Sequence, residues 1–118
     1  MDSFQNLQSL IQDFCEDRQW DQFHGPKDLA IGLVTEASEL LEIFRFQNEL
    51  ECQELLSKNE SREKVGDELA DVFFFLLRFC QKNNFDLEKL LKHKMEKNAR
   101  RYPVETAKGS NLKSTIPS

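Results

Sequence analysis

Apolar residues recur every three or four positions along most of the chain, which is the spacing of one face of an α-helix. The stripe nearest the N-terminus consists of Phe4, Leu7, Ile11 and Phe14. Either Asp2 or Ser3 can cap the helix that carries it, since both residue types are favoured at that position. Repeated along the sequence, the pattern predicts four main helices. They cover approximately residues 3–18, 28–46, 62–82 and 87–102.

Breaks between the apolar stripes coincide with turn-forming and capping residues. Gly25-Pro26 separates the first two helices. The predicted caps of the three helices that follow are Asp28, Ser61 and Asp86. Residues 47–58 are only weakly amphipathic, so either a short helix or a helical loop fits them.

The last predicted helix stops near Tyr102, because Pro103 cannot continue it. Residues 104–118 have little periodicity and are predicted to form a C-terminal tail that could dock on a neighbouring element. The sequence therefore predicts an all-α domain over residues 1–103, built as a bundle of four main helices with a short connecting helix.

The composition excludes several other classes of protein. With 118 residues, of which 39% are hydrophobic and 31% charged, the chain can bury a core and is not disordered. It has no apolar run of the roughly 20 residues that a membrane-spanning helix needs, and no signal-peptide pattern. Its three cysteines are widely spaced, which disfavours a disulfide framework or a thiolate zinc site. These features predict a cytoplasmic protein.

The net charge of −5 is unevenly distributed. Residues 1–91 contain 9 basic and 19 acidic side chains, whereas residues 92–118 contain 7 basic and 2 acidic ones. The acidic part disfavours a nucleic-acid polymer as a partner. The basic part could help to bind a small anion, or it could simply complement the dipole at a helix C-terminus.

Two pairs of carboxylates stand at helical i, i+3 spacing, Glu36 with Glu39 and Glu68 with Asp71. Most such pairs are solvated helix faces. The second pair, however, directly precedes Val72–Leu77, an apolar run that surrounds its helix and predicts burial on all sides. Buried carboxylates need cations or hydrogen bonds. Arg78, seven residues after Asp71, is a candidate ion-pair partner for one of them.

If the four carboxylates converge, a multivalent cation must offset their mutual repulsion. Oxygen donors without cysteine suit Mg²⁺, for which Mn²⁺ could substitute. A ferritin-like di-iron site also uses carboxylates, but it needs Glu-x-x-His pairs, and Leu90 stands three residues before His93.

The last predicted helix carries polar residues that could contact phosphates. Lys94, Asn98 and Arg101 share one face, and Asn98 and Tyr102 continue the inward stripe of Leu87, Leu91 and Met95. Cations beside an inward asparagine suit a phosphate clamp. Alternatively, Lys94 and Arg101 are solvated and Asn98 is only a residue at the end of a helix.

Four segments follow one another along the chain: Trp20-Asp-Gln-Phe-His24, Glu36-x-x-Glu39, Glu68-Leu-Ala-Asp71 and Lys94-Met-x-x-Asn98-x-x-Arg101-Tyr102-Pro103. In this order they resemble the all-α nucleoside triphosphate pyrophosphohydrolases of the MazG type, in particular the dCTP pyrophosphatase branch. The likeness extends over nearly the whole chain. It implies a helical subunit that assembles as a homodimer or a homotetramer.

The resemblance also implies an activity, which is Mg²⁺-dependent hydrolysis of nucleoside triphosphates between the α- and β-phosphates. The products are a nucleoside monophosphate and pyrophosphate. The metal ligands implied by the resemblance are Glu36, Glu39, Glu68 and Asp71. Either Glu36 or Glu39 is the candidate to accept the proton of the attacking water.

The residues that the resemblance places at the substrate form two groups. They are Trp20, Phe23 and His24 at the base and sugar, and Lys94, Asn98 and Tyr102 at the phosphates. The chain departs from the dCTP branch at three positions, with Ile11, Phe46 and Phe75 where that branch has His, Trp and Tyr. Phe46 can still stack on a base, because phenylalanine and tryptophan both present an aromatic face, and Phe75 remains a candidate substrate contact. Because two polar side chains are lost, several deoxynucleoside triphosphates are expected as substrates.

The function expected from the sequence is therefore house-cleaning of the nucleotide pool, by hydrolysis of dCTP or of several deoxynucleoside triphosphates. Two alternatives remain open. The same chemistry could act on dUTP or on modified nucleotides. A non-enzymatic helical adaptor would instead use the ten phenylalanines and the acidic surface for protein contacts.

Overall fold

The computed structural model of the protein describes residues 2–117, which contain helices and no strand. The helices are α1 (Ser3–Asp17), α2 (Pro26–Phe44), α3 (Glu49–Ser57), α4 (Asn59–Lys82), α5 (Leu87–Arg101) and α6 (Val104–Ala107), with a 3₁₀ turn at Asp21–Phe23. The predicted all-α class and the four main helices are confirmed. None of the helices in this range is long and apolar enough to cross a membrane.

Reciprocal side-chain caps define where α1 and α3 begin. The Asp2 carboxylate accepts a hydrogen bond from the Gln5 backbone N–H at 2.8 Å, and the Gln5 side chain accepts one from the Asp2 backbone N–H. Asn48 and Glu51 form the same arrangement at the start of α3. Such caps satisfy backbone donors that a helix leaves unpaired. The weakly amphipathic segment before α4 is accordingly a helix rather than a loop.

Two helix starts differ from the predicted ones. α2 begins at Pro26, two residues before the predicted cap Asp28, because proline fits the first helical position, where no N–H is needed. α4 begins at Asn59, so Ser61 is not its cap. The Ser61 hydroxyl instead donates to the Leu55 carbonyl and ties α3 to α4.

The structure divides into two compact units, one ending at Asn84 and the other beginning at Phe85. In the first unit, α2 and α4 pack along each other, and α1 and α3 also contact α4. Its buried side chains are Cys15, Leu29, Val65, Leu77, Arg78 and Cys80. Because α2 and α4 carry the two carboxylate pairs, their packing positions the candidate site.

Several large apolar side chains of the first unit are exposed. The run Val72–Leu77 predicted that α4 is buried on all sides. This prediction is wrong, because Phe73 is 38% exposed. Leu10 of α1 and Val34 and Leu41 of α2 are more exposed still. An apolar pattern indicates which surface avoids water, but it does not indicate whether the same chain covers that surface.

The second unit consists of α5, α6 and the residues after them. α5 begins as predicted behind Asp86, whose side chain caps it. The tail returns towards the end of α5, where the Ser114 hydroxyl donates to the Arg101 carbonyl. Leu91 and Met95, which were predicted to face inward, are exposed.

Candidate active site

The carboxylate cluster, defined here as Glu36, Glu39 and Glu68, lies between α2 and α4. One carboxylate oxygen from each residue lies within 4.8 Å of the others. The i, i+3 spacing puts Glu36 and Glu39 on the same face of α2, and the packing of α4 brings Glu68 to that face. Asp71, three residues further along α4, is exposed and is not part of the cluster.

Burial leaves two oxygens of the cluster in an unfavourable environment. Oε2 of Glu36 and Oε2 of Glu68 are shielded from solvent and accept no hydrogen bond from the residues described. Burial, reinforced by the carboxyl groups of Glu39 and Glu68 and by the charge of Asp71, raises the pKa of Glu36 to about 7. Burial also raises the pKa of Glu68. A proton or a cation is needed to offset the negative charge of these groups.

The donor set of the cluster fits a hard divalent cation. All its donors are carboxylate oxygens, and no histidine or cysteine belongs to it. Within residues 2–117, no lysine or arginine forms an ion pair with any of its members. Mg²⁺ and Mn²⁺ prefer such oxygen ligands. The unpartnered buried oxygens are therefore suited to hold either ion.

An apolar cavity of about 550 Å³ adjoins the cluster. Glu36 and Asp71 are its charged lining residues. The remainder of the lining consists of Leu7, Leu10, Ile11, Phe14, Trp20, Ala70, Phe73, Phe74, Phe75 and Leu77. Its volume is within the range of small-molecule binding sites. The arrangement thus combines an apolar recess with an acidic edge.

Phe75 reaches this cavity because α2 has no side chain at Gly32. A Cβ atom at that position would collide with the Phe75 ring. The close approach of the ring to the α2 backbone fixes one wall of the cavity. Gly32 was not singled out from the sequence, because a lone glycine within a helical pattern carries no indication of what packs on it.

The segment 20–24 contributes to the cavity through Trp20. The Trp20 ring contacts the Phe14 ring edge-on, with the centroids 5.5 Å apart, and the His24 ring at 6.3 Å. Phe14 in turn contacts Phe74 on α4 at 6.2 Å. These contacts anchor the connection between α1 and α2 to the cavity wall.

Arg78 on α4 binds the segment 20–24 through Asp21 and His24. The predicted ion pair between Arg78 and Asp71 is therefore wrong. The Nε–H of Arg78 donates to Nδ1 of His24 at 2.9 Å, and its Nη2 forms an ion pair with Asp21. The i, i+7 spacing to Asp71 gave no indication of these contacts, because both partners precede Arg78 by more than fifty residues.

Phe23 and Phe46, two further predicted substrate residues of the first unit, do not line the cavity. Phe23 is exposed, and Phe46, in a left-handed turn after α2, is 87% exposed. Lys94, Asn98 and Tyr102 belong to the second unit, on α5 and at its end. Lys94 is exposed, Asn98 is half-buried, and the Tyr102 hydroxyl accepts a hydrogen bond from the Ser114 backbone N–H. The structure brings together Trp20, Glu36, Asp71 and Phe75 around the cavity.

Comparisons with known proteins place the chain in a family. Residues 31–115 match the model of the MazG-like family. The chain is 32% identical over 113 residues to the dCTP pyrophosphatase 1 proteins of Rattus norvegicus and Homo sapiens, which covers 96% of this chain and 66% of each relative. The chain thus spans just under two thirds of the length of these relatives.

A solved structure shares the fold. The crystal structure of a pyrophosphatase from Archaeoglobus fulgidus DSM 4304 matches with a TM-score of 0.82 and 35% identity, over 87% of this chain and 94% of that one. Together with the family model, this similarity extends over both carboxylate pairs of α2 and α4. The chain belongs to the MazG-like family.

Proposed function

We propose that this protein hydrolyses deoxynucleoside triphosphates between the α- and β-phosphates, releasing a monophosphate and pyrophosphate, with Mg²⁺ as its cofactor. The observation that carries the proposal is that Glu36 belongs both to the carboxylate cluster and to the wall of the apolar cavity. A ligand that suits both surfaces has a flat apolar end and a metal-binding end, which is the chemistry of a nucleotide. The names of the pyrophosphatase relatives support the same reaction.

The charges of the site explain why the reaction needs a cation. A triphosphate and three carboxylates repel one another unless positive charge lies between them. Bound Mg²⁺ would supply that charge and activate water for attack on phosphorus. Glu36, Glu39 and Glu68 would hold it, with Asp71 as the fourth ligand. Either Glu36 or Glu39 accepts the proton of the attacking water.

The apolar cavity receives the base. Trp20 and Phe75 offer aromatic faces for stacking. Ile11 and Phe75 provide no polar atom to a base, so the cavity discriminates weakly between bases. The proposed substrates are therefore dCTP and other deoxynucleoside triphosphates, and the proposed role is house-cleaning of the nucleotide pool.

The remaining predicted substrate residues complete the proposal. His24 and Phe23 contact the sugar side of the nucleotide, and Phe46 stacks at its edge. For Lys94, Asn98 and Tyr102 of the second unit, the resemblance to the family implies contacts with the phosphates, where a cation such as Lys94 would stabilise developing negative charge.

A homodimer or homotetramer is the proposed assembly. Val34 and Leu41 stand seven residues apart on α2, and their side chains are 64% and 65% exposed. Apolar side chains on one face at this spacing suit a helix-to-helix interface. Light scattering after gel filtration measures the mass, and a monomer mass at micromolar concentration would contradict this part of the proposal.

A panel of triphosphates tests the activity. We expect pyrophosphate release from dCTP and at least one other deoxynucleoside triphosphate in the presence of Mg²⁺, and no release once a chelator removes the metal. Preference for dUTP or for a modified base would keep the reaction and change the substrate. Absence of release from every member would contradict the proposed function and favour the adaptor.

A further inference from the structure

Arg78 is the most deeply buried charged residue in the described part of the chain. Its side chain is 2% exposed, although it stands on α4 among apolar residues. A buried guanidinium must be fully paired, because an unpaired charge in an apolar environment is strongly unfavourable. Three partners satisfy it. They are His24 through Nε, Gln81 through Nη1 at 2.7 Å and Asp21 through Nη2.

These hydrogen bonds link three elements of the first unit. Asp21 and His24 belong to the connection between α1 and α2, whereas Arg78 and Gln81 belong to α4. The Gln81 amide continues the network, since its Nε2 donates to the Gln8 carbonyl of α1 at 2.9 Å. The rigid planar fork of arginine can hold several partners in fixed directions, which the flexible ammonium of lysine does not do. The conformation of segment 20–24 is thus set from α4.

The contact between Arg78 and His24 also fixes the protonation state of the imidazole. Arginine only donates hydrogen bonds, so Nδ1 of His24 must be the acceptor and the proton must reside on Nε2. Burial and the charge of Arg78 lower the pKa of His24, as does Lys82, while Asp21 acts in the opposite direction. Above pH 6.5, His24 is therefore mainly neutral, with a single donor group at Nε2.

We propose that Arg78 is a positioning residue for substrate binding, which orders segment 20–24 and keeps His24 as the Nε2–H tautomer. His24 then offers a hydrogen-bond donor, and not an acceptor, to an oxygen of the nucleoside part of the substrate. Arg78 itself does not touch the substrate. The role at the nucleotide rests on the proposed function, whereas the control of the tautomer does not.

The tautomer is tested directly by nitrogen NMR of the imidazoles in the full chain. Wild-type His24 should show a protonated Nε2 and an unprotonated Nδ1 near neutral pH. Arg78→Met keeps an apolar side chain of similar length, and Arg78→Lys keeps the charge. In both variants, His24 should become a mixture of tautomers. Signals of the exposed His93 should stay the same and serve as the internal reference.

Lys82→Gln is the matched control. Lys82 lies 3.9 Å from Asp21 and also acts electrostatically on His24, but it forms no hydrogen bond with the imidazole. Its replacement should leave the Nε2–H tautomer in place. Loss of the tautomer in Lys82→Gln would show that general charge, rather than the Arg78 contact, controls His24, and it would overturn the proposal.

Steady-state kinetics on dCTP test the link to substrate binding. Arg78→Met should raise KM by roughly 10-fold and change kcat by less than about 3-fold. The reason is that the hydrogen bond from His24 to the substrate is weakened, whereas the carboxylate cluster stays intact. In the double variant with His24→Gln, the two effects should be strongly non-additive, since both act through one imidazole. Additive effects would contradict the proposal, as would an unchanged KM in a folded variant.

The NMR and kinetic experiments together distinguish failure of the proposed function from failure of the proposed role of Arg78. A wild-type protein that hydrolyses no triphosphate would contradict the proposed function, and the NMR result would still decide whether Arg78 sets the tautomer. A His24 that keeps its Nε2–H tautomer in folded Arg78→Met and Arg78→Lys would overturn the positioning role even if the enzyme is active.

Discussion

Glu39 and Glu42 are two exposed carboxylates one helical turn apart on α2, and only Glu39 belongs to the carboxylate cluster. Glu42 lies 3.4 Å from Arg45 instead. We expect Glu39→Gln to lower kcat for dCTP by at least about 100-fold, because a ligand or the proton acceptor is lost. Circular dichroism should show an unchanged helical content.

Glu42→Gln is the matched control for this experiment, since it makes the same chemical change on the same helix. It should retain the wild-type kcat, because the Glu42 carboxylate lies outside the carboxylate cluster. Equal losses of activity in the two variants would show that the negative charge of α2, rather than the cluster, matters for turnover.

His24 gives a residue-scale prediction about pH. Its pKa is lowered from 6.5 in the folded protein, so below pH 6.5 the unfolded chain binds more protons than the folded one. His24 should therefore make the free energy of unfolding fall as the pH drops below 6.5. Above that pH, His24 should not change the dependence of the free energy of unfolding on pH. Glu36, whose pKa is raised, gives a slope of the opposite sign between 4.5 and about 7.

A difference measurement isolates the histidine. Urea unfolding at several pH values should show that wild type loses stability relative to His24→Gln as the pH falls below 6.5. A constant difference between wild type and His24→Gln at all pH values would contradict the prediction.

The individual residues differ in how far the sequence could predict them. The pairs on α2 and α4 were predicted from i, i+3 spacing, which is a local property of a helix. The partners of Arg78 were not, because they lie 54 and 57 residues away and depend on how the connection folds back on α4. Asp71 was expected within the cluster, yet its side chain is exposed beside it.

At the scale of the elements, helix positions were predictable and some helix starts were not. Asp2 and Asp86 act as caps, as predicted, because capping depends on a few neighbouring residues. Asp28 and Ser61 have the same side-chain chemistry but lie inside their helices. For α2, Pro26 upstream already fits the first helical position, whereas α4 begins behind Lys58 without any side-chain cap.

The packing of α2 on α4 can be tested with two glycines. A Cβ at Gly32 would collide with the Phe75 ring, whereas a Cβ at Gly66 meets no atom within 4 Å. Gly66→Ala should stabilise the protein by about 0.5–1 kcal/mol through helix propensity. Gly32→Ala should destabilise it by about 1 kcal/mol or more, because overpacking exceeds that gain.

Chemical unfolding measures both changes. Adding Phe75→Leu to Gly32→Ala should recover part of the lost stability, since the smaller side chain leaves room for the methyl group. A stabilising Gly32→Ala would show that the Phe75 ring does not rest on the α2 backbone, and the cavity wall would have to be revised.

At the scale of the whole molecule, metal binding and stability are linked. The unpartnered oxygens of Glu36 and Glu68 oppose folding of the metal-free chain above neutral pH, and a bound cation removes that penalty. A ligand that binds only the folded state stabilises it by about 2.7 kcal/mol at 100 times its Kd. We therefore expect Mg²⁺ to raise Tm by several degrees without any nucleotide present.

Variants show whether this stabilisation arises at the carboxylate cluster. Glu68→Gln should be more stable than wild type without metal, because a neutral amide replaces a buried charge, and Mg²⁺ should no longer raise its Tm. Glu42→Gln should respond to Mg²⁺ as the wild type does, since its carboxylate lies outside the cluster. Equal Mg²⁺ responses in all three proteins would place the ion elsewhere. If Glu68→Gln gains stability without metal and also loses its response to Mg²⁺, then the acidic residue at this position serves metal binding and not folding.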